Sequence, residues 1–157
     1  MRVVALGMAL VAGGAAVAFA GPAQAATLTE VTGFGTNPGN LKMWEYVPTG
    51  LAANRPLVVL LHGCSATAAQ IDNETGWTKW ADQFQFALLL PEQKPANNGF
   101  RCFNVSVPGD QERGQGEPLS VKQMTDWEIS HRGSDPSRVY VTGLSAGGAM
   151  TTNMLGT

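Results

Sequence analysis

Beyond residue 26 the chain alternates short apolar runs with stretches in which apolar positions recur every three or four residues, and glycine- and proline-rich segments separate them. "TLTEVT" and "LKMWEYV", residues 27–32 and 41–47, are β-branched or alternating and flank the turn-rich "GFGTNPGN", which predicts an opening antiparallel pair. "PLVVLLHG" and "FALLLPEQ" are continuous apolar runs, the first ended by Gly63 and the second by Pro91, as strands buried on both faces would be. Between them Trp77, Trp80 or Ala81, and Phe84 fall at helical spacing, so one short helix is expected to cross the sheet. Lys94 to Pro118 is irregular and rich in Gly, Pro and Asn, and a connection of that length is expected to line a site. Ser120-Val121-Lys122-Gln123 has the form of a capping box, and Val121, Met124 and Trp127 make a stripe, predicting a helix from Ser120 to about His131 or Gly133. "SDPSRVYVTG" supplies a turn and a third apolar strand, and "AGGAMTTNML" opens a helix. This succession predicts an α/β fold: a mostly parallel sheet with helices on both faces.

The first residues change the picture of where the chain works. Arg2, an apolar run from Val3 to about Ala20, and Ala23-Gln24-Ala25 have the form of a signal peptide over residues 1–25, leaving a secreted, extracellular chain that begins near Ala26 with no stable membrane association. A formal net charge of −2 gives no field for anionic partners such as nucleic acid. From Ala26 onward there is no repeat, charge block or linker, so residues 26–157 read as one domain. For an exported chain, Cys64 and Cys102 fit either a disulfide or two separate buried thiols.

Gly143-Leu144-Ser145-Ala146-Gly147 fits G-x-S-x-G, with a strand-like run before it and a helix-like run after it, the context of a nucleophile elbow with Ser145 at its tip. "LLHGCS" ends an earlier buried strand. Both turns belong to the edge where parallel strands end, so they are expected to face one another, with the amides of Cys64 and Ala146 aimed at a developing oxyanion.

"LLHGCSATA", "LLPEQ", "RCFN", "PGDQERGQGEPLSVKQM" and "DPSRVYVTGLSAGGAMT" together resemble the secreted esterase family of polyhydroxybutyrate depolymerases and acetylxylan and feruloyl esterases. The resemblance covers nearly all the chain from about Thr27. It implies an α/β-hydrolase fold, Ser145 as nucleophile, Cys64 and Ala146 as oxyanion donors on the elbow and the His62-Gly63 turn, a Cys64–Cys102 bridge, and an ester substrate of polymeric kind. No cofactor and no metal is implied. One departure stands out: relatives tend to show Asn-Trp-Phe after the second cysteine, whereas this chain has Asn104-Val105-Ser106, which puts an aromatic contribution to the cleft in question.

A serine needs a base, and the base an orienting acid. The sequence contains two histidines. His131 ends the helix leading into the elbow strand, about 17 to 20 Å from Ser145 for a strand of ordinary length. His62 sits inside the oxyanion turn and is expected to brace it. Asp135 shares the edge of His131, Asp126 lies on the helix, Asp72 and Asp82 are expected to face solvent, and Asp110 lies in the long loop. With this elbow the acid and histidine follow the serine on later strands. The expectation is therefore the N-terminal part of the domain, truncated after the elbow and inactive alone, with the elbow strand left as a sheet edge. The competing expectation is a catalytically silent secreted protein that binds a glycan or partner through Trp77, Trp80 and the 94–118 segment.

Overall fold

In the computed structural model, residues 25–156 are described; all but the last position of the expected signal peptide, residues 1–24, lie outside them. Leu57–Leu61 (β3) and Ala87–Glu92 (β4) are buried at every position, because each lies between two other strands and under helices on both faces. The sheet order is β1-β2-β4-β3-β5, where β1 is Thr29–Val31, β2 is Lys42–Tyr46 and β5 is Val139–Gly143. β4, β3 and β5 are mutually parallel, and β1 and β2 add an antiparallel flank, with Met43 opposite Pro91 and Val31 opposite Met43. β4 runs through Pro91 rather than stopping there; the β3 ladder ends at Leu89, so the imide falls where one neighbour has already gone.

Alternation along β3 divides the core. Leu57, Val59 and Leu61 face one way, onto Val121 and Met124 of α3 (Gly116–Arg132) and Met150 of α4 (Ala146–Met154). Val58 and Leu60 face the other way, onto Ile71 of α1 (Ala68–Thr75) and Ala81 of α2 (Trp77–Phe84).

The crossover is two helices, not the expected one. Asp72 divides them: its carbonyl accepts the Gly76 amide that closes α1, and its carboxylate accepts the Thr78 amide and hydroxyl that open α2. Asp72 is thus half-buried in a cap, whereas Asp82 is exposed and accepts from the Tyr46 hydroxyl. The stripe on α2 runs through Trp77, packed edge-on against Phe86, and Ala81; Trp80 and Phe84 stack on each other on the solvent side.

The predicted capping box is also corrected. α3 starts four residues before Ser120, at Gly116, because Asp110 reaches from the loop to accept the Glu117 amide and Pro118 occupies a first-turn position that needs no N–H. Ser120 is a buried mid-helix residue that bonds the Gly116 carbonyl and accepts from Gly39, and Gln123 reaches out to Asn37 and Thr36. β5 forms the edge of the sheet among the described residues, with Tyr140 exposed, as expected for the elbow strand.

Away from the elbow, α3 buries Glu128 completely against Glu45 of β2. Arg132 is paired to Glu45 through two nitrogens. Among the described residues no donor reaches either Glu128 oxygen, and its neighbour is another acceptor, so Glu128 can bond Glu45 only by carrying a proton itself. Burial first, and the Glu45 charge second, push the Glu128 carboxyl up to about 8. The folded chain therefore holds this proton more tightly than the unfolded chain, and stability falls as pH rises from the ordinary value of 4.5 through about 8. Glu128→Gln, neutral at every pH and able to donate to Glu45, is expected to flatten that fall. Its unfolding free energy, measured by urea titration, should match wild type at about pH 5 and exceed it by on the order of 2 kcal/mol at about pH 9. Parallel pH profiles for the two proteins would contradict the assignment.

Candidate active site

The turn after β5 is forced into shape by what surrounds it. Ser145 has φ 53 and ψ −119, a conformation strained for any residue with a side chain. Its neighbours leave no alternative: a Cβ on Gly143 would lie 2.4 Å from the Gly147 carbonyl, and one on Gly147 would lie 2.1 Å from Leu61 O. The Leu144 amide bonds Leu61 O, and the Gly147 amide returns to Leu144 O, so the strand turns directly into α4 against the end of β3. Ser145 is exposed at the tip of this turn, at the positive end of the α4 dipole.

Facing it is the turn after β3. A Cβ placed on Gly63 would be 3.5 Å from Ser145 Cβ, so the two turns touch. A cavity of about 340 Å³ opens here, walled by Gly63 to Ala66, by Gln70, Ile71 and Glu74 of α1, and by Leu144 with Ser145. Gly63, Cys64 and Ser145 thus meet on one cleft. Ala146 follows at the first position of α4 and is not among the residues that line the cleft. Neither the Cys64 amide nor the Ala146 amide donates to a protein acceptor among the described residues. Cys64 and Cys102 form a disulfide, with their Cα atoms 4.2 Å apart.

His62 braces this turn, as expected. It is fully buried; its Nδ1–H donates to Gly63 O at 2.6 Å, while Nε2 accepts the Gln93 amide at 3.0 Å. Both nitrogens are engaged, and burial holds the ring below the ordinary histidine pKa. His131 lies in the last turn of α3, stacked on Trp127 and bonded through Nδ1 to Ser130 and the Trp127 carbonyl, at the end of the helix that feeds the start of β5. Asp135 is on that same far edge, where the Ser137 hydroxyl and then Arg138 hold it down to about 2. Asp126 pairs with Lys122 on the exposed side of α3.

The long connection departs from expectation. None of its residues lies on the cleft wall; it is fastened to the cleft from outside, by the disulfide and by Ser65 bonding Phe100 O. Its Phe103 is buried against the His62 ring, and none of its aromatic residues lines the cleft.

A profile described as esterase PHB depolymerase matches residues 41–156. The chain belongs to this esterase family. Among its relatives, poly(3-hydroxyalkanoate) depolymerase C of Paucimonas lemoignei is 54% identical over 130 residues, 83% of this chain and 31% of that protein. Feruloyl esterase B of Neurospora crassa is 38% identical over 133 residues, 84% of this chain and 44% of that protein. The solved acetyl xylan esterase from Aspergillus awamori superimposes with TM-score 0.76 at 35% identity, over 82% of this chain and 46% of that one, in keeping with an α/β-hydrolase fold of which this is an N-terminal portion. The chain spans less than half the length of each of these relatives.

Three polar residues behind the cleft, Glu92, Gln93 and Glu117, carry no functional motif of their own in the sequence. Glu92 accepts the Ala68 amide at the start of α1, and Glu117, fully buried, accepts from the Gln93 side chain and the Asn104 amide. Polar residues directly after an apolar parallel strand stand at the working edge of such a sheet, and that rule, applied to "LLLPEQ", points to the first two.

Proposed function

We propose that this chain carries the nucleophile and oxyanion donors of a secreted serine esterase that hydrolyses ester bonds of a polymer or polysaccharide: a polyhydroxyalkanoate, or an acetylated or feruloylated xylan. Ser145 Oγ adds to the ester carbonyl carbon, and the Cys64 and Ala146 amides receive the oxyanion. The alcohol departs with a proton, and water then cleaves the acyl-enzyme and restores the serine hydroxyl. The observation carrying this reading is the Ser145 backbone, held at φ 53 and ψ −119 at the mouth of a cleft whose opposite wall is the Cys64 turn. The substrate class rests on what the relatives are named for. Residues 1–25 are assigned to export.

His62 has both nitrogens committed and His131 belongs to the far end of α3, so the base and its acid are assigned to sequence outside this chain. Hydrolysis of a simple aryl acetate by the chain alone is then expected at background rate. Its serine should still react slowly with a fluorophosphonate, because the two amides that would receive the oxyanion also stabilise the phosphoryl oxygen of that reagent. Mass spectrometry should find the adduct on Ser145 and none in Ser145→Ala. An adduct elsewhere, or equal labelling of the variant, overturns the nucleophile. Aryl acetate turnover that Ser145→Ala abolishes overturns the placement of the base.

A further inference from the structure

Behind the oxyanion turn lies a connected set of buried polar groups that the proposed chemistry does not itself use. Glu117, at the start of α3, has no exposed surface. One carboxylate oxygen accepts from Gln93 Nε2, and the other accepts the Asn104 amide at 2.9 Å. Gln93, also buried, uses the rest of its side chain on the same loop: Nε2 also reaches Cys102 O at 3.2 Å, and Oε1 accepts from the Lys94 amide at 3.0 Å and from Asn97 at 2.7 Å. Its backbone amide donates to His62 Nε2 at 3.0 Å. That bond requires Nε2 to be unprotonated, which places the ring proton on Nδ1, where it donates to Gly63 O. Gly63 O is the carbonyl of the peptide whose N–H belongs to Cys64. Fixing the carbonyl fixes the plane of that peptide, and with it the direction of the amide.

Resting on the proposed role of Ser145 and the Cys64 amide, we infer that Glu117 is a positioning residue for the oxyanion turn, acting through Gln93 and His62 on the Gly63–Cys64 peptide. The carboxylate holds the Gln93 side chain, Gln93 holds the His62 tautomer, and the tautomer holds the peptide plane. The same carboxylate ties Asn104, and Gln93 ties the Cys102 carbonyl, so the disulfide loop and the turn it bridges are referred to one buried group. Burial pushes the Glu117 carboxyl up to about 7 despite the bonds from the Asn104 amide and the Gln93 side chain, the mark of a carboxylate kept inside a fold that has little room to solvate it. A purely apolar residue would fill this space without demanding partners from three segments.

The test uses Glu117→Gln, which keeps the shape but offers one acceptor where the carboxylate offers two, and Gln93→Met, which keeps the backbone amide to His62 and cuts the side-chain link. Two quantities are read on the folded chain: the rate of fluorophosphonate labelling at Ser145, and the nitrogen-coupled proton resonance of His62 Nδ1–H. Removal of a whole oxyanion donor slows acyl chemistry by about 10²- to 10³-fold, so misalignment of one is expected to slow labelling by roughly tenfold in each variant. The His62 resonance should move or broaden. Variants that are merely less stable, with wild-type labelling rates and an unmoved His62 resonance, overturn the positioning role while leaving Ser145 as nucleophile. A wild-type chain that takes no label at Ser145 overturns the proposed function itself, and the positioning role with it.

Discussion

Gly147→Ala is expected to destabilise the chain by roughly 3 to 5 kcal/mol, at the top of the range for a single added methyl. The position of the new Cβ decides the magnitude. It would sit 2.1 Å from Leu61 O, 2.5 Å from Leu61 C and 2.6 Å from His62 O. All three are backbone atoms at the end of a strand buried on both faces, so no rotamer change relieves the overlap. Either α4 retreats from β3 or the turn opens, and both remove Ser145 from its place against Gly63. Gly148 in the same helix and Gly156 beyond its end serve as controls. A Cβ on Gly148 would meet Gly143 O at 3.3 Å, an overlap of tenths of an ångström, and one on Gly156 would meet only Asn153 O at 3.6 Å. Urea midpoints should therefore fall in the order Gly156→Ala, Gly148→Ala, Gly147→Ala, with only the last losing fluorophosphonate labelling as well. Equal midpoints for the first and last would mean that the elbow does not press on β3 as described.

The elbow was legible because its constraints are local. Two glycines, the serine between them and the flanking runs lie within a dozen residues, and the strain that identifies the turn is written into those residue types. The buried strands were legible for a related reason: a run such as "LVVLL" has no polar position to present to water on either face. Long-range polar contacts were what the sequence concealed. Ser120 and Gln123 have the right spacing for a capping box, yet Asp110 captures the Glu117 amide and starts α3 a turn earlier, leaving both side chains free to bind the 36–39 turn. Trp80 matched a helical stripe, but α2 begins afresh after Gly76, and its burial falls to Ala81 and Trp77 instead. Glu117 falls, in sequence, within the irregular 94–118 segment; only the meeting of three segments makes it a buried anchor. The long loop invited a role in lining the cleft because of its length, and its polar residues are instead spent on one another and on that anchor.

Replacing both cysteines, Cys64→Ala with Cys102→Ala, should cost about 4 kcal/mol in chain-entropy terms for a bridge spanning 38 residues, read as a lower urea midpoint than the oxidised wild type. The bridge also has a consequence that stability alone does not capture. Apart from the sulfurs, the loop grips the oxyanion turn through Ser65, whose amide donates to Phe100 O at 2.6 Å and whose hydroxyl reaches the same oxygen at 3.4 Å. On the two sides of the bridge, Ser65 has φ 64 and Arg101 has φ 50, left-handed conformations that residues with side chains leave when nothing holds them. Freed of the bridge, Ser65 is expected to relax, and the Cys64 amide immediately before it turns with it. Reduced or doubly substituted chain should then label more slowly at Ser145 than oxidised chain even at temperatures where both are fully folded, whereas a change felt only through unfolding would vanish there. Identical labelling rates for the two folded forms would confine the disulfide to stability and leave the direction of the Cys64 amide to the His62 brace alone.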